Sequence, residues 1–350
     1  MGQDFASASL HPQRIVDFSA DDGRLLRLTQ ITGPSAPTRG PVLVVHGAGV
    51  RANIFCPPVA TTFVDALVEH GYEPWLLDWR ASLDLPETHW TLDQAAVHDY
   101  PSAVRIILRE TGKSELKAVV HCQGSTSFMM ALVAGLLPEV EMVVSNAVSL
   151  HPVVPPWSRF KLNWMVPAVG LFTNHLNPRW GVRANTLTEK AIAYFGDVLH
   201  PECENGVCKL VSFAYGTGYP ALWSHDTISD RTHDWLTDEF GFVPFTFHRQ
   251  MARCVAAGHL VAVEQLASLP KSFVEHAPKT DARIALFAGR ENKCFLPESQ
   301  ERTHDWLTKS RPGKGDSLHV LDSYGHLDMF LADDAARDVF PLMIAELDRG

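Results

Sequence analysis

Cys122 lies where a strand-like run meets a helix-like one, within His121-Cys122-Gln123-Gly124. Leu116–His121 is apolar and β-branched, as a buried parallel strand is. Beyond Gly124, the residues Phe128, Met129, Leu132, Val133 and Leu136 recur at helical spacing. A thiol at such a junction matches a nucleophile elbow, the tight turn that holds a strained nucleophile above a sheet edge. The usual pattern is Gly-x-Ser-x-Gly; here Val120 stands at the first Gly and Cys122 at the Ser. A helix N-terminus and a neighbouring base both favour thiolate, so the predicted chemistry is attack of sulfur on an acyl carbon. The plain alternative is a buried, inert thiol, which is what most free cysteines are.

Two further residues complete an order of nucleophile, orienting group and base along the chain. Asn292 follows the strand-like Arg283–Gly289, with Glu291 beside it as the rival orienting residue. His326 follows the strand-like Leu318–Leu321, in Tyr324-Gly325-His326-Leu327-Asp328, and is the expected general base. A thiolate–imidazolium pair forms before substrate arrives, so an amide oxygen that orients the ring suffices as third member. Asp328 and Asp322 are close enough in sequence to take secondary roles, and Cys294 reads as a core thiol. The run Pro41–His46 ends in His46-Gly47-Ala48-Gly49, where glycines let the backbone aim its N–H groups at a substrate carbonyl. The amides of Ala48 and Gln123 are the expected oxyanion donors. His121 is expected to support the elbow, and His46 the turn.

The elements that must position these residues alternate. Residues 1–13 read as a loose arm, and Arg14–Phe18 and Leu25–Ile31 as a hairpin around Ala20–Gly23. Thr61–His70 reads as a helix closed by Gly71, Tyr72–Trp79 as a strand, and Thr91–Thr111 as a helix kinked or restarted at Pro101. Glu141–Ala147 is a further strand, and Ala335–Leu347 a closing helix. Strands alternating with helices predict an α/β fold with a mostly parallel sheet, whose ligands bind at the carboxyl ends of the strands. After His151 the alternation stops for about 130 residues rich in Trp and Phe. The expected organisation is a core of residues 1–150 and 282–350 with a largely helical cap inserted at 151–281. Trp157, Trp164 and Trp223 are the cap residues nominated to line an apolar substrate pocket.

With 350 residues, 46% hydrophobic and 20% charged, the chain has ample material for a core. Its net charge of -10 argues against a nucleic-acid partner, whose phosphates require a basic face. No apolar run is long enough to span a bilayer, and no secretory signal opens the chain. Six cysteines without a metal-like pattern fit a reduced, cytoplasmic protein with neither metal nor cofactor. Cys203 and Cys208 are a possible pair, but no second pair of ligands follows at suitable spacing, so they read as structural thiols. The heptapeptide RTHDWLT occurs at 231–237 and at 302–308 without matching flanks; His233 and His304 within it read as surface-helix residues.

Taken together, the His-Gly pair, GYEPWLLDW, the elbow, GxxN and YGHLD resemble the α/β-hydrolase superfamily. The longer stretches VHCQGSTSFMMAL, CENGVCKLVSFAY, GRENKCFLPES and YGHLDMF resemble most the hydrolase segments associated with glucose-methanol-choline oxidoreductases. More distantly, GYEPWLLDWRAS with a Cys nucleophile is similar to polyhydroxyalkanoate synthases, and the His-Leu-Asp ending to acid lipases. The resemblance covers most of the chain and implies an α/β-hydrolase fold with an inserted cap. The expected function is cysteine-dependent acyl transfer from a thioester or activated ester, carrier-protein- or coenzyme A-linked, to water or a hydroxyl, with lactone formation as a variant. Thiol attack on a thioester is nearly isoenergetic, and an apolar cap that excludes water favours an intramolecular hydroxyl. Carboxylesterase or lipase activity is the alternative, and a non-catalytic binding module a second one.

Overall fold

The computed structural model describes residues 11–350, so most of the arm expected at 1–13 lies outside the described residues. Its frame is an eight-stranded sheet ordered β1-β2-β4-β3-β5-β6-β9-β10. The strands are β1 (Gln13–Ser19), β2 (Leu25–Ile31), β3 (Pro41–Val45), β4 (Glu73–Asp78), β5 (Leu116–His121) and β6 (Val140–Asn146). After a long insertion come β9 (Arg283–Gly289) and β10 (Ser317–Leu321). β1 pairs antiparallel with β2, and β2 with β4; every later pairing in this sheet is parallel. The central strands β3 and β5 are buried along their whole length, which is why they read as unbroken apolar runs.

Local sequence explains where the helices begin and stop. Thr62 and Asp65 form a reciprocal capping box that starts the helix Phe63–Glu69, and Gly71 leaves it at φ 81°. The single helix expected over Thr91–Thr111 is divided. A π-helical turn, Ala95–Asp99, runs directly into Tyr100–Thr111, and Pro101, which lacks an N–H to donate, sits just past that wider turn. The closing helix is likewise broken at Val339, with Pro341 in the first turn of Phe340–Leu347. The helix Cys122–Val133 is buried at every residue, clamped between the sheet and neighbours such as Tyr100, whose ring meets Phe128 edge-on at 5.2 Å.

Between β6 and β9 the chain forms short helices and a two-residue antiparallel pair, β7 (His175–Leu176) with β8 (Val243–Pro244). Trp180, Ile192, Leu210 and Phe213 make a small core of their own there. Among the described residues, no helix is long and apolar enough to cross a membrane.

Candidate active site

The turn from β5 into the helix Cys122–Val133 puts Cys122 at φ 55°, a left-handed conformation that costs a non-glycine residue about 1–3 kcal/mol. Packing holds it there. A Cβ at Gly124 would run into the His46 carbonyl oxygen, so only glycine lets the helix approach the end of β3 this closely. Val120, by contrast, is fully buried within the sheet opposite Val45 and Ser145, and the elbow forms without a glycine at that place.

Cys122, His121, Gln123, Ala48, Cys294 and His326 line one small cavity of about 40 Å³ at the carboxyl ends of the strands, with Tyr215, Leu222 and Phe240 closing it from the inserted segment. The Gly47 backbone lies directly against the thiol: a Cβ there would stand 3.4 Å from Sγ. Ala48 and Gln123, the residues expected to supply the oxyanion amides, both line this cavity, and the Gln123 amide lies against the Cys122 sulfur.

Burial alone would raise the Cys122 pKa. The neighbouring Cys294 thiol, the His326 ring and the Gln123 amide reverse that and hold it well below the ordinary thiol value. Cys294 moves the opposite way, pushed up by burial and then by the Cys122 sulfur. Of the two buried thiols, Cys122 is the one whose surroundings favour the thiolate. Sequence reading favoured the core for Cys294, with a place near the site as the alternative; it is buried in the core and also lines the Cys122 cavity, carried there by the same turn that carries Asn292.

Asn292 is buried, and its Nδ2 stands 3.1 Å from His326 Nδ1. Its Oδ1 accepts the N–H groups of Cys294 at 2.9 Å and Phe295 at 3.0 Å. The oxygen expected to orient the ring is thus committed to the turn, and the amide nitrogen faces the ring instead. Glu291 is exposed and pairs with Lys293 at 3.5 Å, so it does not reach His326. The His326 loop is held by Asp328, whose carboxylate accepts the N–H groups of Gly325 and of Ser224, the latter at 3.1 Å. Burial pushes the Asp328 pKa up to about 7 despite those bonds. Asp322 is on the surface with Arg290.

His121 packs its ring 4.8 Å from that of His326 and stays neutral, because burial, then His326 and His46, hold its pKa well below the ordinary value. His46 faces Asp78 at 3.6 Å, and its carbonyl takes the Trp79 indole N–H at 2.9 Å.

The expected Trp lining is corrected. Trp164 is 69% exposed, and Trp157 is partly exposed and stacks on Phe160 at 5.2 Å. Trp223 is buried but packs on Phe240, 5.8 Å away, rather than facing the cavity. Composition could not distinguish the outer from the inner face of a short helix. Tyr215 was missed: its hydroxyl is buried without a hydrogen-bond partner among the described residues, in the cavity that holds Cys122. Beyond it, an apolar groove of about 400 Å³ runs between Val166, Phe172, Phe195, Phe213 and Phe245. Lys161 lines this groove and donates to the carbonyls of Phe213 and Gly216, and burial pushes its pKa down to about 7.

No family model matches the chain. A probable lipase of Schizosaccharomyces pombe is 29% identical over 360 residues, covering 93% of this chain and 75% of its own length. Sterol esterase 2 of Saccharomyces cerevisiae is 26% identical over 162 residues, 40% of this chain, and the match spans only 30% of the esterase. Among solved structures, a monoacylglycerol lipase of Paleococcus ferrophilus superposes with a TM-score of 0.56 at 13% identity, covering 97% of this chain and 100% of its own. The chain has the α/β-hydrolase fold.

Proposed function

We propose that this protein hydrolyses carboxylic esters through an acyl-enzyme formed on Cys122. The observation that carries the reading is a thiol on a strained elbow, its pKa lowered by its surroundings and its sulfur within 4.8 Å of a His326 ring nitrogen. The relatives described as a lipase and a sterol esterase support ester hydrolysis in general. In this reading residues 151–281 are the cap, the apolar groove between its own helices takes the acyl chain, and Asn292 positions His326.

The steps balance without a cofactor. The Cys122 thiolate bonds to the acyl carbon while the carbonyl pair moves onto oxygen, which the Ala48 and Gln123 amides receive. Collapse breaks the bond to the leaving group, which departs with the electron pair. Water then adds to the acyl carbon, one of its protons passing by way of His326 to the released anion, the C–S bond breaks with its electron pair returning to sulfur, and the acid and the thiolate are released.

A second reading concerns the donor, and one observation favours it. Asn292 offers an N–H to His326 Nδ1, so the neutral ring keeps its proton on Nε2, toward the sulfur. That ring stabilises a thiolate but is poorly placed to supply a second proton. A leaving group that departs as a stable anion needs none. Thioesters and activated esters are therefore preferred over alkyl esters, whose alkoxide must be protonated. Transfer of the acyl group to a hydroxyl, lactone formation included, belongs to this reading, as does a carrier-protein- or coenzyme A-linked donor.

The test is intact-mass spectrometry after mixing the protein with acyl thioesters, nitrophenyl esters and alkyl esters, beside Cys122→Ala. A gain of one acyl group that Cys122→Ala does not show is the expected result. Turnover that survives Cys122→Ala would overturn the role of the thiol, and no adduct or product with any donor would favour a binding module.

A further inference from the structure

The structure brings together four side chains in the inserted segment that the sequence left apart. His200 follows the helix Leu187–Val198, Cys203 lies in the next turn, Cys208 is in the first turn of the helix Gly206–Tyr215, and His225 comes from a later loop. One nitrogen or sulfur from each lies within 4.8 Å of all the others. We infer that His200, Cys203, Cys208 and His225 form a structural zinc site that fastens the cap to the loop carrying His326.

The geometry is that of a tetrahedral ion. Zinc–sulfur bonds of about 2.3 Å and zinc–nitrogen bonds of about 2.0 Å place neighbouring S and N ligands roughly 3.5 Å apart. The His200 Nε2 lies 3.5 Å from Cys203 Sγ and 3.9 Å from Cys208 Sγ, and His225 Nε2 lies 3.6 Å from Cys208 Sγ. All six cysteines are free thiols, so no disulfide competes for these two.

The surroundings are set for a metal as well. His200 Nδ1 lies 2.6 Å from the Gly218 carbonyl, and His225 Nδ1 lies 3.1 Å from the Glu202 carboxylate. Each acceptor fixes the ring proton on Nδ1 and leaves the Nε2 lone pair turned toward the sulfurs, the outer-shell pattern of zinc-binding histidines. His233, expected on the surface, stands with its Nε2 3.2 Å from that of His225, outside the four-residue set. Soft thiolates with imidazoles select zinc over calcium or magnesium. Binding releases the two thiol protons, and two thiolates cancel the charge of the ion. A neutral complex is the one a site with buried His200 and Cys208 tolerates. All four positions are filled by protein, so the site is closed and structural rather than catalytic.

Its place in the fold gives it a consequence. The Leu222 carbonyl accepts the His326 N–H at 2.9 Å, and the Ser224 N–H donates to Asp328 at 3.1 Å. Both residues belong to the short run that ends at His225. An ion at the cluster anchors this run to two cap helices, and so anchors the His326 loop from the cap side.

The test uses the full chain, loaded with zinc and dialysed, with metal content measured by plasma mass spectrometry. One zinc per chain is expected, falling below a tenth of that in Cys208→Ser and in His225→Ala, and unchanged in His233→Ala. Should the variants fail to fold, the unmodified protein decides the matter by loading with cobalt. A thiolate-to-cobalt charge-transfer band with tetrahedral d–d bands, and protection of Cys203 and Cys208 from alkylation until a chelator is added, support the site. A chain that retains no zinc, gives an octahedral cobalt spectrum, or joins Cys203 to Cys208 as a disulfide would overturn it. His121, Cys122 and His326 also bring ligand atoms within 4.8 Å of one another. The loadings are therefore repeated on Cys122→Ala, which is expected to keep its one zinc and its cobalt spectrum, and loss of either there would overturn the site. No readout depends on turnover.

Discussion

Asn292 turns its amide nitrogen, not its oxygen, toward His326, with Nδ2 and Nδ1 3.1 Å apart. The two backbone N–H groups on Asn292 Oδ1 fix this orientation. A serine nucleophile needs the opposite ring, with its proton on Nδ1 and Nε2 free to accept. Replacing Cys122 with serine alone is therefore expected to abolish turnover. The double variant Cys122→Ser/Asn292→Asp, whose carboxylate accepts from Nδ1, is expected to recover about a hundredfold over Cys122→Ser. Stopped assays on a nitrophenyl ester measure this, and equal rates for the two variants would refute the assigned ring.

The same orientation slows the second half of the reaction. Freeing His326 Nε2 to take a proton from water sacrifices the hydrogen bond at Nδ1, a loss of about 1–3 kcal/mol. Rapid-mixing kinetics are expected to show a burst of one equivalent of leaving group followed by a slower steady state. Asn292→Asp is expected to raise the steady rate relative to the burst. A linear time course from the first turnover would contradict this.

Tyr215 has a buried hydroxyl with no hydrogen-bond partner among the described residues. Removing it breaks no internal hydrogen bond, so Tyr215→Phe should melt at the same temperature or slightly higher. If the hydroxyl meets substrate, kcat/KM falls about tenfold. Thermal melts and steady-state kinetics on one preparation separate these effects.

Asp328 is protonated in the fold up to about pH 7, whereas an unfolded aspartate ionises near 3.8. A raised folded pKa gives stability that is full below the unfolded value and is lost as pH rises through the folded one. This contribution to the melting temperature is therefore expected to decline between about pH 4 and pH 7. Glu239, likewise raised to about 7, acts in the same direction. In Asp328→Asn the decline should be shallower, by the share that Asp328 contributes. Melts across that range measure it.

Gly124→Ala places a methyl group against the His46 carbonyl, and backbone cannot yield there as a flexible side chain would. Loss of several kcal/mol is expected from overpacking at this junction. Chemical denaturation measures it, and an unperturbed midpoint would show that the elbow does not depend on this close approach.

The strands, the elbow and the chain order of Cys122, Asn292 and His326 were legible because each rests on a local pattern. A parallel strand buried on both faces must be continuously apolar, and a strand-to-helix turn over a close neighbour must contain a glycine. Such constraints act over a few residues, so sequence determines them. The direction of the Asn292 amide was not legible, since it depends on which backbone N–H groups the following turn leaves unpaired. Nor was the outward orientation of Trp157 and Trp164, because a short cap helix is apolar on faces that only packing can tell apart. His200, Cys203, Cys208 and His225 show the limit most clearly. Their spacing along the chain matches no ligand pattern, and only the folding of two helices and a loop against one another brings their donor atoms within 4.8 Å.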